Sequence, residues 1–243
     1  MKKYLQYILI SILAILFISG CSPKDKDTLV LATEAGFSPY EFYQGSEIVG
    51  VDIDIAREIA KELDKKLVVK DISFDFLINE IKSGKADFAA AGISITDERK
   101  KQVDFTNEYS ISNQVVIVNK DSSISDFSEL SNKKIAVQLG TVADLYVGKN
   151  YPDAKLIQHK KYLSAAEDVK TGKADCLIMD ELPAREIVKK NPEIKIMDGV
   201  LFQDRYGMIV KKGNDKLKND INKVLERLIK EGTIDKLILK YSK

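Results

Sequence analysis

Residues 82–87 read Lys-Ser-Gly-Lys-Ala-Asp, and residues 170–175 read Lys-Thr-Gly-Lys-Ala-Asp. In both places a helical pattern runs out at glycine, as helix C-termini prefer, and an apolar strand-like run follows. The surroundings repeat in the same order. Thr28–Thr33 reads as a strand, and residues 54–63 read as a helix with Ile55, Ile59, Ala60 and Leu63 on one face. Residues 67–72 are β-rich, 76–82 helical and 86–91 a small, buried strand. The second half gives strand 134–137, helix 141–147, strand 156–158, helix Tyr162–Lys170 and strand 174–179. Strands alternating with helices call for parallel sheets covered by helices, and the repetition calls for two such lobes. The expected class is α/β. A strand candidate at 206–210 and helices over Asp215–Lys230 and from Gly232 to Leu239 return the chain to the first lobe. Segments 113–118 and 203–206 then form a two-strand hinge. Lobe one takes residues 28–114 plus 204–243, and lobe two takes 115–203.

In open α/β sheets ligands sit beyond the carboxyl ends of the strands. Five positions beyond Asp87 and Asp175, the third strands of the two halves end at Gly92 and Asp180, which would face each other across a cleft. The turn from Ala91 and Gly92 lets a ligand approach the backbone, and Ser94 adds a hydroxyl. A helix start near Thr96 offers free N–H groups, and Arg99 offers a fork that fits a carboxylate. Gly140-Thr141 is a second strand-to-helix turn able to receive an anion. Asp180, behind Leu177-Ile178-Met179, brings a negative charge in an apolar frame. Carboxylate receptors beside a fixed carboxylate match a zwitterion, an α-amino acid. The spacing alone leaves plainer roles open. Arg99 lies in Asp97-Glu98-Arg99-Lys100-Lys101, which also suits a solvated helix face, and Asp180 also suits a helix N-cap. Phe37 and Phe74 also suit the core.

Composition removes several classes. Lys and Arg number 38 against 37 Asp and Glu, so no basic excess points to nucleic acid. A lone histidine, His159 in an expected exposed basic loop, speaks against a histidine triad or a multi-histidine metal site. Two cysteines cannot build a disulfide scaffold, and Cys176 fits a buried apolar position. No metal, cofactor or catalytic group is expected.

The first twenty residues read as an address. Lys2 and Lys3 precede an apolar run over residues 7–18, too short to span a membrane, and Ser19-Gly20-Cys21 follows. Ile18-Ser19-Gly20-Cys21 resembles the bacterial lipobox, which implies removal of residues 1–20 and acylation of Cys21. Residues 21–27 then form the lipidated cysteine and a polar tether. Acyl chains at one cysteine would anchor the protein to the cell membrane on its extracytoplasmic face.

At Glu41-Phe42, at residues 48–55 (Ile-Val-Gly-Val-Asp-Ile-Asp-Ile), at residues 91–99 (Ala-Gly-Ile-Ser-Ile-Thr-Asp-Glu-Arg), and at Val103-Asp104-Phe105-Thr106 with Tyr109, the chain resembles a known family. It is similar to the bacterial family 3 solute-binding proteins of ABC importers for polar amino acids. The resemblance implies a type II periplasmic-binding-protein fold whose lobes close on the ligand like a trap, with no enzymatic step. It implies a monomer delivering its ligand to a membrane permease. It places Arg99 and Thr141 on the ligand carboxylate with Ser94 and the Ala91–Gly92 backbone beside them. Asp180 falls on the α-ammonium, and Phe37 and Phe74 flank the side chain. Glu34 matches the position that meets the distal tip. A carboxylate there, with phenyl rings alongside, favours a cationic tip. Gln138 is a lysine in some glutamine binders, and its neutrality removes one repulsion. Arginine or lysine is therefore expected first and glutamine second. Rival readings are a periplasmic-type enzyme such as a dehydratase, and a sensor ectodomain on the same fold.

Overall fold

The two matching hexapeptides fold alike. The computed structural model describes residues 27–242, so the leader and Cys21 lie outside the described residues, as does most of the tether. Gly84 and Gly172 both take the left-handed backbone, at φ 73° and 74°. The aspartate ending each hexapeptide then clamps two strands together. Asp87 Oδ2 accepts from the Val30 amide at 2.7 Å, and Asp175 Oδ2 accepts from the Lys134 amide at 2.7 Å. The backbone answers in kind, Asp87 N to Val30 O at 2.9 Å and Asp175 N to Lys134 O at 2.8 Å. The repeat is thus a repeated joint between the first and third strands of each half.

The first half contains β1 (Thr28–Thr33), a hairpin of β2 (Phe42–Gln44) and β3 (Glu47–Val49), and α1 (Val51–Glu62). It continues through β4 (Lys66–Asp71), a 3-10 turn Phe74–Phe76, α2 (Leu77–Lys82), β5 (Phe88–Ala89), α3 (Asp97–Lys100) and β6 (Val103–Phe105). β7 (Ser110–Asn119) leads into β8 (Lys134–Gln138), α4 (Val142–Asn150), β9 (Lys155–His159), α5 (Tyr162–Lys170) and β10 (Cys176–Asp180). Then come α6 (Glu181–Lys190), β11 (Ile194–Ile196), β12 (Phe202–Tyr206), β13 (Ile209–Lys211), α7 (Asp215–Lys230) and α8 (Thr233–Tyr241).

One sheet runs β4-β1-β5-β13-β6 and the other runs β11-β7-β10-β8-β9, with β12 paired to β7. β1 pairs parallel with β4 and β5, and β8 pairs parallel with β9 and β10, so each sheet has a three-stranded parallel run ending at one edge, continued by antiparallel strands on the other side. β7 and β12 run antiparallel from Ser110↔Tyr206 to Gln114↔Phe202, where the chain crosses between the sheets. This is the mixed α/β, type II arrangement that the sequence led us to expect.

Local chemistry accounts for the boundaries that differ. α1 begins at Val51, not at 54, because the Pro39 and Tyr40 carbonyls receive the amides of Val51 and Asp52 at 3.1 and 3.0 Å. Only glycine allows that approach. A Cβ on Gly50, at φ 133°, would lie 2.1 Å from the Tyr40 carbonyl oxygen. The strand expected over 206–210 divides at Gly207: Tyr206 belongs to the crossing ladder, and β13 enters the first sheet from Ile209. A Cβ on Gly207 would press on Ile95 and Phe105 at 3.0–3.1 Å, so the break comes where the chain passes closest to that wall. The long helix α7 buries Leu217, Ile221, Val224, Leu225 and Leu228. Its Arg227 meets Glu58 of α1 at 3.1 Å, and Lys240 and Tyr241 of α8 both reach Asp54 of α1. The C-terminal helices therefore complete the first lobe.

Candidate ligand-binding cleft

The strand ends of the two sheets converge on one cavity. Glu34, Phe37, Phe74, Ala91, Gly92 and Ser94 line it from the first lobe, and Gln138, Thr141 and Asp180 line it from the second. Its walls lie close together, leaving only about 10 Å³ of open cavity volume between them. Arg99 borders an adjoining cavity with Gly140, and Phe74 is common to both.

The solvated-face alternative for Arg99 does not hold. Its neighbours Asp97 and Glu98 face solvent, but Arg99 is 5% exposed. Thr96 caps the short α3 by accepting from the Arg99 amide, which turns the arginine side chain inward. Its guanidinium donates to Ser94 O at 2.7 Å and, across the lobes, to Gly140 O at 3.0 Å. The plane lies 5.5 Å from the Phe74 ring centroid, a cation–π contact. Burial pulls its pKa down to about 10, against the nearby charge of Asp204, so it remains cationic at neutral pH.

Asp180 does occupy the N-cap position of α6, yet its carboxylate makes no cap bond. Its Oδ1 accepts instead from Ser112 at 2.7 Å, from Gln114 at 2.6 Å and from the Tyr206 hydroxyl. Three convergent donors fix where the negative charge points. Thr141 caps α4 by accepting from the Asp144 amide, and its hydroxyl donates to Gln138 O at 2.8 Å. Glu34 is 2% exposed. Its Oε2 accepts from Gln138 Nε2 at 3.2 Å, and its Oε1 pairs with the ammonium of Lys161.

Gly92, at φ 54°, closes the floor with its amide on Asp52 at 3.2 Å. A Cβ there would lie 2.5 Å from Phe37 Cε1. Gly92→Ala is therefore expected to push the Phe37 ring into the cavity and to cost about 1–3 kcal/mol of stability. Denaturant unfolding checks the stability loss, and calorimetric titration checks an accompanying loss of affinity. An alanine variant as stable as the parent would contradict the packing described.

The sequence did not single out several groups at the cleft. Tyr162, the first residue of α5, stacks on Phe37 at 5.6 Å between ring centroids and joins the two lobes. Asp204, on the crossing strand β12, accepts from the Ser94 hydroxyl. Glu41 lines the cavity fully buried beside Asp52, whose carboxylate accepts from Tyr109 at 2.8 and 2.9 Å. Of these, Glu41 and Tyr109 lie within motifs that carried the family resemblance, whereas Tyr162 and Asp204 have no local signature. His159 is not on an exposed loop: it ends β9 with its Nε2 3.0 Å from Asp168. Cys176 is fully buried in β10, where burial pushes its thiol up to about 12.

These acids set a pH dependence. Burial raises Asp52 to about 6 against its hydrogen bonds, and burial with the adjacent Asp52 charge holds Glu41 well above the usual range. Asp180 and Asp204 are also raised by burial, and Asp204 further by the Asp180 charge. Above the ordinary carboxylate range the folded protein thus keeps protons that the unfolded chain has lost. Stability then falls as pH rises through the raised values. The lowered carboxyls, among them Asp54, Asp104 and Glu181, act only in more acid solution. Without ligand, the melting temperature is expected to be several degrees higher near pH ~5 than near pH ~8. Scanning calorimetry across that range checks this, and a rise toward pH ~8 would contradict it.

Comparison with known proteins gives a consistent picture. The family model described as bacterial extracellular solute-binding proteins, family 3, matches residues 29–243. The chain is 31% identical over 221 residues to putative ABC transporter arginine-binding protein 2 of Escherichia coli K12, covering 88% of this chain and 90% of that one. Among solved structures it is similar to a mutant of ArgBP from T. maritima, with a TM-score of 0.85 and 39% identity over 89% of this chain and 95% of that one. It is also similar to an ancestral arginine-binding protein bound to glutamine, with a TM-score of 0.84 and 38% identity over 89% of this chain and 98% of that one.

Proposed function

Because the chain belongs to the bacterial extracellular solute-binding proteins of family 3, a family of amino-acid ABC transporter binding proteins and not of enzymes, we propose that its own ligand is L-arginine. The observation that carries this reading is the buried Glu34 carboxylate on the wall of a cavity that also holds Asp180. Arg99 with Thr141 receives the ligand carboxylate, beside Ser94 and the Ala91–Gly92 backbone, and Asp180 receives the α-ammonium. Phe37 and Phe74 flank the aliphatic stem, and Glu34 with Gln138 takes the guanidinium. Lysine is accommodated by the same groups with fewer bonds, since an ammonium cannot make the guanidinium's bidentate contact. Likeness to arginine-binding proteins of E. coli and T. maritima supports this choice.

Residues 28–114 with 204–243 and residues 115–203 act as the two jaws, hinged at β7 and β12. One ligand bridging Arg99 and Asp180 favours the closed form because only there does it touch both. Lipidated at Cys21, the protein would work as a monomer on the outer face of the cell membrane and pass its ligand to a permease.

A second reading, glutamine, is supported by likeness to a structure of an ancestral arginine-binding protein bound to glutamine. A thermal-shift panel tests both. The purified protein, unfolded and refolded to strip ligand, is heated with each common amino acid at millimolar concentration. A ligand at a hundred times its Kd stabilises by about 2.7 kcal/mol, or several degrees. The largest shift is expected with arginine. A shift with glutamine alone would replace arginine by glutamine, and no shift with any amino acid would sink both readings.

A further inference from the structure

Glu34 does not stand as a bare anion. Lys161, the residue before α5, reaches from the second lobe so that its ammonium pairs with Glu34 Oε1. Gln138 Nε2 occupies Oε2 at 3.2 Å and also donates to Lys160 O at 2.9 Å, so one loop and one strand end of the second lobe together cover the carboxylate. Burial alone would lower the Lys161 pKa, but pairing with Glu34 raises it above the ordinary lysine value, so the charge is permanent at neutral pH. The geometry is asymmetric. Glu34 is 2% exposed, whereas the Lys161 side chain is 44% exposed. The carboxylate cannot leave, and the lysine can swing out to water.

We propose that Lys161 is a specificity-determining residue, an internal cation that competes with the ligand for Glu34 and so sets the balance between cationic and uncharged side-chain tips. This rests on the amino-acid reading above. A guanidinium or ammonium tip must displace Lys161 or lie beside its like charge, and like charges forced together are costly. An amide tip leaves the pair in place and finds the subsite nearly neutral. Lys161 therefore narrows the preference for arginine and lysine that Glu34 alone would impose.

The test compares the wild type with K161M, which keeps the apolar stem and removes the charge, and K161R, which keeps the charge. Dissociation constants for arginine and glutamine are measured by titration calorimetry on stripped protein. K161M is expected to raise the ratio of arginine to glutamine affinity about tenfold, and K161R to keep the wild-type ratio. A K161M ratio within about twofold of wild type overturns the proposal, even if both affinities fall together, because that pattern describes a strap that only aids closure. A wild type that binds no amino acid removes the functional reading and this inference with it. A wild type that binds normally, with an unmoved ratio in K161M, removes this inference alone.

Discussion

Arg99→Lys is expected to lower arginine affinity by roughly two orders of magnitude, within the ~2–5 kcal/mol typical of losing one member of a desolvated charge pair. The charge survives the change but the fork does not. In the structure the guanidinium spends one nitrogen on Ser94 O and another on Gly140 O while lying over Phe74, and its remaining donors are free to grip a carboxylate. An ammonium on a flexible stem cannot hold two carbonyls and a carboxylate in one plane. Calorimetric titration reads the effect, and circular dichroism confirms the fold. Unchanged affinity would remove Arg99 from the carboxylate subsite and undo the assignment of the cleft.

The second large effect is expected from Glu34→Gln. This exchange preserves shape and removes one charge from a position 2% exposed. Arginine and lysine should each lose about 30-fold or more in affinity, while glutamine should change only a few-fold. The divergence between ligands matters more than either value, since a merely structural defect would weaken all of them alike. Competition titrations on one preparation measure it. If arginine affinity stayed level, the distal tip would have to meet another wall of the cavity. Lys161 would then be pairing with a carboxylate that plays no part in recognition.

The layout of these groups was legible where chemistry is local. The twin hexapeptides marked the two lobes, and counting from Asp87 and Asp175 placed Gly92 and Asp180 on one cavity. The family motif pointed to Arg99, whereas its local charge run equally suited a solvated face, and the fold shows the side chain buried: a four-residue helix capped by Thr96 has too little length for a readable periodicity. What stayed hidden depends on contacts between distant parts of the chain. Lys161 stands in a basic run that looks exposed, and its partner lies 127 positions away. Tyr162 gives no sign that it will stack on Phe37, and Asp204 none that it will meet Ser94. The strand expected over 206–210 failed for a similar reason, since apolar patterning cannot show that a chain changes sheets at a glycine.

The crossing strand β12 has a mechanical role beyond joining the lobes. Its Arg205 carbonyl accepts from the Ile95 amide at 2.8 Å, Tyr206 bridges Ser94, and Asp204 takes the Ser94 hydroxyl. The Tyr206 hydroxyl meanwhile holds Asp180. One short ribbon thus grips a cavity-lining group from each lobe. If the proposed amino acid lies between Ser94 and Asp180, a twist of this ribbon would alter the separation of the two groups, coupling hinge geometry to retention of the cargo. Any partner that levers the ribbon would weaken retention by as much as the cargo resists the lever, because the two are linked reciprocally.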